Sequence, residues 1–384
     1  MTDDDRPVAL DEYPVHQAPL SMRHVVTGDR NAYDRCIFQV LDHAGHTLLI
    51  TGLGVYPNTG VIDAYATLRT ADGRLRAVRA SDALGDDRTR LAVGPLRITV
   101  EEPLRRFRLR CEPDPDDPAS LSFDLAWTAD FPALWEPHHT QRRGGRLTLE
   151  ARRFVQAGSV TGTVRADGAV IPVTAGEWTG TRDRSWGVRP IPGEDAGRAA
   201  ADHPTEGFHW LWCPARFDDR FVMVILQEDA DGHRTLNSAV EVREGRRDRQ
   251  LGWPYADIAY RPGTRHPERA VLHLTDPADR KPLELRAEVL TSSPLAVGAG
   301  YPPADDWQHG TWQGRDWTDR RTYDLTDPAA HPLAAYGVTD HAARFTLEGR
   351  TGYGIFEHGS IGRHDPSGFT GFDSVAPAAG EERP

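Results

Sequence analysis

Residues 47–69 read TLLITGLGVYPNTGVIDAYATLR. Two β-rich runs, Thr47–Tyr56 and Val61–Arg69, flank Pro57-Asn58-Thr59-Gly60, four residues suited to a tight hairpin turn. The same grammar recurs along the chain at Cys36–Leu41, Leu96–Glu101, Leu121–Thr128, Arg146–Phe154 and Ser159–Val164. It continues at Gly207–Trp212, Arg220–Gln227, Arg269–Leu274, Leu283–Leu290, Ala342–Leu347 and Tyr353–Phe356. Further hairpin signals stand at Ala71-Asp72-Gly73, Ala166-Asp167-Gly168 and Asp229-Ala230-Asp231-Gly232. Long helical periodicity is nearly absent. About twenty strands are too many for one open sheet, so the expectation is an all-β protein of closed barrels or stacked sheets. Within the opening stretch, Thr51-Gly52-Leu53-Gly54-Val55 precedes no helix. It therefore marks a bulge or tight barrel corner rather than a phosphate cradle.

At 384 residues the chain exceeds what one hydrophobic core supports, and two domains are expected. Residues 191–206, rich in Pro, Gly, Asp and Ala, read as a linker. The division is then an N-terminal extension over 1–30, a first β domain over 31–190, a second over 207–375 and a disordered tail over 376–384. A Ser-x-Gly echo between Ser185 and Ser360, about 175 residues apart, suits two barrel-sized units. Fifty-seven acidic against forty-five basic residues oppose binding to nucleic acid or an anionic membrane surface. Cys36, Cys111 and Cys213 are isolated, which suggests neither a disulfide framework nor a cysteine metal site. No signal-peptide core or membrane-length apolar run is present, and a soluble cytoplasmic protein is expected.

The chemistry-bearing stretch is GEWTGTRDRSWGVR, residues 176–189. If extended, it sets Trp178, Arg182, Arg184 and Trp186 on one side and Asp183, Ser185 and Arg189 on the other. A face at once aromatic and cationic suits the floor of a ligand cavity, or else a structural cluster. In GFHWLWCP, Phe208, Trp210 and Trp212 form an apolar wall that fills a barrel or shelters an unsaturated ligand, and His209 faces the other way. The run FEHGSIGRHDPSGF supplies Glu357 and His358 as candidate acids, with His364 beyond them. The sixteen histidines fall into no convincing ligand spacing, so neither a metal nor a cofactor is expected. Glu228 and Asp229 end an apolar run and read as turn residues at a barrel mouth.

At Asp183-Arg184-Ser185-Trp186-Gly187 the chain resembles two-domain lipocalin-like proteins: the carotenoid 1,2-hydratases, the AttH-like proteins and the lipocalin-like Diels-Alderases. Members commonly carry an Asp-His-x-Trp-Gly motif here. The blocks Gly54–Asn58, Gly207–Trp212 and Phe356–Arg363 are similar to a bacterial branch of unassigned function, over roughly Asp29 to Val375. The resemblance implies two lipocalin-like antiparallel barrels packed together. For the hydratases it implies that the motif His and Trp and a later acid protonate an isolated double bond before water adds. Arg184 stands where that His would be, and an arginine is a poor proton donor. For the cyclase relatives it implies a polyene held between the two domains and guided by shape.

The expected function is cofactor-independent hydration, isomerisation or cyclisation of an apolar isoprenoid, steroid or polyketide-like substrate. Asp183, Glu357 and His358 are the expected catalytic residues, and Asp183 is expected to stay ionised beside Arg182 or Arg184. Arg182, Arg184, Trp186, His209, Trp210 and Trp212 are the expected substrate contacts. The alternative is a lipid or terpenoid carrier. A catalyst requires at least two titratable groups converging on the ligand, whereas a carrier tolerates an entirely apolar cavity.

Overall fold

The computed structural model describes residues 7–143, 145–191, 206–304, 306–327 and 331–378. The expected linker falls almost wholly outside these residues, as does the end of the expected tail from residue 379. Among the described residues the fold is all-β apart from three short 3-10 turns. No helix is long and apolar enough to cross a membrane.

The first half forms β1 (Ala32–Asp42), β2 (Thr47–Tyr56), β3 (Val61–Thr70), β4 (Arg74–Ala83), β5 (Ala92–Val93), β6 (Leu96–Glu102) and β7 (Arg106–Cys111). It continues with β8 (Ser122–Ala129), β9 (Leu134–Trp135), β10 (His139–Arg143), β11 (Arg146–Ala166), β12 (Ala169–Val173) and β13 (Trp178–Val188). The second half forms β14 (Gly207–Arg216), β15 (Phe221–Glu228), β16 (Arg234–Val242), β17 (Arg249–Gln250) and β18 (Tyr255–Tyr260). It ends with β19 (Pro267–Thr275), β20 (Pro282–Pro294), β21 (Trp317–Asp324), β22 (Thr339–Leu347) and β23 (Arg350–Gly362). Every pairing between these strands is antiparallel, in one sheet of fourteen strands and one of nine. Each sheet curls around its own apolar interior, giving two lipocalin-like units packed together.

The quoted stretch forms β2, its turn and β3, and all ten residues of β2 are buried. The cause is burial on both faces, which removes the usual alternation of polar and apolar residues. Leu49, Leu53 and Val55 point into the first barrel, while Leu48 and Ile50 point at the second domain. Gly52 and Gly54 sit in unbroken register, not at the expected bulge. They are glycines because tyrosine rings lie over them: a Cβ would stand 2.7 Å from the Tyr65 ring at Gly52 and 2.6 Å from the Tyr56 hydroxyl at Gly54.

One strand crosses the expected division. β21, from the second half of the chain, pairs with β4 at the edge of the first sheet. The segment between β20 and β21 runs over β3 on its way, where the Asp63 carboxylate accepts the Gly310 amide at 2.6 Å and bonds the His309 ring at 3.2 Å. Between the two sheets lies a shared core in which Ile37, Leu41, Tyr65 and Val155 of the first meet Trp210, Trp212, Met223 and Ile225 of the second. The candidate site is a polar pocket within this layer.

Candidate functional site

Alternation along five strands decides what reaches the layer between the domains. On β13, Thr181, Asp183 and Ser185 face it; on β14, Phe208, Trp210 and Trp212 do. From β1 come Arg35 and Gln39, from β11 Arg153, and from β23 Glu357. The cavity measures about 150 Å³. Ordinary ligand pockets hold roughly 300–1,000 Å³, so this one fits the reacting portion of a substrate rather than a whole one.

The acids are tied to both domains. The Trp210 indole N–H donates to Glu357 Oε1. Asp340 of β22 stands opposite Glu357 in the ladder and hydrogen-bonds to it. Burial and the Glu357 charge push the Asp340 carboxyl well above the usual carboxylate range. The Gln39 amide donates to Asp340 at 3.3 Å and accepts the Thr181 hydroxyl at 2.8 Å, which links the pair to β13. Glu136, just beyond β9, accepts the Trp212 indole N–H at 2.6 Å and Arg153 at 3.1 Å. Burial pushes Glu136 up while Arg153 pulls it down.

Asp183 is the most telling group. Burial pushes its carboxyl up to about 7; Arg153 opposes the rise, and Glu136 and Glu357 add to it. The expectation of a firmly ionised Asp183 rested on Arg182 and Arg184, but strand alternation turns both to the other face. Around the cavity, burial lowers His139 to about 3 and His309 to about 4, so both rings are neutral. Arg35 lies over the Tyr301 ring at 4.9 Å, and that side chain, with Tyr56 and Asp63, holds the guanidinium protonated against burial.

Of the expected catalytic residues and substrate contacts, Asp183, Glu357, Trp210 and Trp212 come together in this cavity. The others lie elsewhere. Arg182 is 2 % exposed inside the first barrel, with Phe107 4.2 Å from its guanidinium carbon and Gln156 Oε1 accepting its Nε at 2.9 Å. Arg184 pairs with Asp34 at 2.9 Å. Trp186 packs edge-on against Trp135 and Phe154. His209 and His358 face the interior of the second barrel, where His358 Nδ1 donates to the Trp210 carbonyl at 2.8 Å and burial lowers its ring to about 3. Sequence reasoning missed Arg35, Gln39, Glu136, Arg153, Asp340, Tyr301 and His309. Arg35 and Arg153 stand beside other charged residues, Asp34 and Arg152, so nothing local set them apart, and the others belong to no local motif.

Comparison with known proteins gives the fold a context. An AttH-like protein from Nitrosomonas europaea superposes with a TM-score of 0.54 at 16% identity, covering 92% of this chain and 98% of its own. Kievitone hydratase from Nectria haematococca superposes with a TM-score of 0.50 at 12% identity, covering 86% of this chain and 90% of its own. At these identities the likeness is one of fold. No curated protein sequence matches the chain. A family model does, over residues 8–370, and the chain belongs to that family of unknown function, DUF8625.

Proposed function

We propose that the protein is a cofactor-independent enzyme that moves protons on an apolar unsaturated substrate held between its two domains, by hydration, isomerisation or cyclisation. One observation carries the reading. A carboxyl poised near neutrality, Asp183, and a second carboxylate, Glu357 with Asp340 beside it, converge from opposite sheets on one aromatic-walled cavity. Efficient general acids and bases have pKa values near the operating pH, and an active site is where burial is used to reach them. A carrier needs none of this. The hydratase of similar fold is consistent with the reading without supplying its substrate.

Protonated Asp183 would donate to one carbon of a double bond, and Glu357, fixed by Trp210, would take a proton from the attacking water or from a neighbouring carbon. Trp210 and Trp212 present apolar surface to the developing positive charge. Arg35 and Arg153 would hold an oxygen at the substrate's polar end.

The test begins with extraction and mass spectrometry of any compound that co-purifies with the protein, followed by incubation with wild type, Asp183→Asn and Glu357→Gln. The expected result is conversion by wild type, with turnover lost by a factor of about 10² to 10⁴ in each variant while binding persists. As an acid, Asp183 works only when protonated, so turnover should fall as pH rises through about 7. Recovery of the compound unaltered from all three proteins would replace this reading with the carrier.

A further inference from the structure

The second barrel holds a separate cavity of about 1,080 Å³ on the opposite face of β14 from the interdomain site. At its wall three residues far apart in sequence meet. His209 on β14 stands opposite Glu228, the last residue of β15, in the strand register. His364 follows β23, whose end pairs with the start of β14. His364 Nε2 lies 3.0 Å from Glu228 Oε2, and the His209 ring stacks on the His364 ring with centroids 3.9 Å apart. One donor atom from each residue falls within 4.8 Å of the others.

We propose that His209, Glu228 and His364 form a binding site for a divalent transition metal of the zinc class. Two imidazoles and a carboxylate are the donor set of zinc sites that keep a coordination position open, and here that position would face the cavity. The supporting observation is an orphan: His209 is 5 % exposed, and its Nδ1 is buried without a hydrogen-bond partner. Buried polar nitrogens ordinarily find one, and a lone pair left over in a cluster of donors points to a ligand. His364, 1 % exposed, is oriented by a 2.8 Å hydrogen bond between its Nδ1 and Ser367, which leaves Nε2 for the metal. The neighbouring His358 is not a ligand, because its nitrogens are engaged by the Trp210 carbonyl and the Tyr260 hydroxyl. Arg234 holds the other oxygen of Glu228 at 3.0 Å, fixing the carboxylate while leaving Oε2 toward the histidines. Zinc-to-nitrogen distances near 2.0–2.1 Å require the donors to draw in and the His209 ring to turn out of its stack on His364, because a metal lies in the plane of each imidazole it binds.

The test uses the full chain, stripped with chelator and then titrated with Co(II), read by visible absorption and by metal analysis after dialysis with Zn(II). One equivalent should bind with a tetrahedral or five-coordinate Co(II) spectrum. His209→Ala, His364→Ala and the isosteric Glu228→Gln should each weaken binding at least tenfold, with circular dichroism confirming the fold. Asp231→Asn/His233→Asn, which alters the other grouping of donors in the exposed 229–233 turn, should bind normally. Absence of binding by wild type, binding undiminished in the folded Glu228→Gln protein, or loss only in the turn variant would overturn the proposal.

Discussion

Replacing Asp183 by Asn should stabilise the protein, increasingly so as pH rises from about 4 to about 7. The carboxyl rises from an ordinary 3.8 to about 7 because folding takes it out of water and sets it near Glu136 and Glu357, with Arg153 compensating incompletely. Between these two values the folded protein binds a proton at Asp183 that the unfolded chain has released. Stability contributed by this group is therefore greatest below pH 3.8, declines as pH rises, and has declined fully above about 7. At 1.36 kcal/mol per tenfold in acidity, the decline amounts to about 4 kcal/mol, an upper figure because Asp183 keeps some contact with solvent. Asparagine keeps the shape and carries no charge. Urea unfolding of wild type and Asp183→Asn at pH 5 and pH 8.5 measures the effect. Neighbouring acids tilt both curves, so the informative quantity is the difference between the proteins: it should reach about 1.6 kcal/mol in favour of the variant at pH 5 and grow by a further ~2 to 3 kcal/mol at pH 8.5. Parallel curves would show that Asp183 is ionised at no cost, and would remove the basis for its role as an acid. A residue that weakens the fold while serving the reaction is the ordinary trade at an active site.

Other outcomes can be checked alongside. Arg182→Ala should lower stability more than Trp186→Ala, by about 2 kcal/mol or more in thermal melts, because Arg182 fills the first barrel among Phe38, Phe107 and Trp127 whereas Trp186 packs at its half-exposed rim. Arg182→Met should cost little or even stabilise, since burial already lowers this guanidinium to about 10 and an apolar side chain of similar length carries no desolvation penalty. Equal losses for Met and Ala would refute that account. Gly180→Ala should cost about 1 to 3 kcal/mol in chemical denaturation, because its Cβ would stand 2.4 Å from the Trp127 indole nitrogen and 2.5 Å from Val160.

Much of the fold was legible because strands and turns are local. The runs at 47–56 and 61–69 match β2 and β3 almost residue for residue, and the Asp-Gly signals at 72–73 and 167–168 fall at real turns. The candidate site was legible only in part. Alternation separates Arg182 from Asp183 and His209 from Trp210 in the sequence, but nothing local tells which face meets another domain. The aromatic and cationic face of β13 reads as a pocket and is barrel filling. The modest face with Thr181, Asp183 and Ser185 is the one that meets Glu357, Trp210 and Trp212. Asp340 and Glu136 gain their meaning from partners in other strands, and His209, Glu228 and His364 have no ligand spacing because three separate elements bring them together.

The exchange of β21 bears on how the molecule is made. As the chain leaves the ribosome, the first barrel has almost all its strands by residue 188, yet β4 must wait at an open sheet edge until Trp317–Asp324 has been synthesised. Arg79, buried on β4, waits with it, since its carboxylate partners Asp306 and Asp319 arrive on that late segment. Until then a bare strand edge carries an unneutralised charge, a feature that discourages pairing with a neighbouring nascent chain. The same electrostatic debt that protects the half-made barrel is discharged when the second half of the chain closes over it, so the first barrel is completed only by residues of the second half.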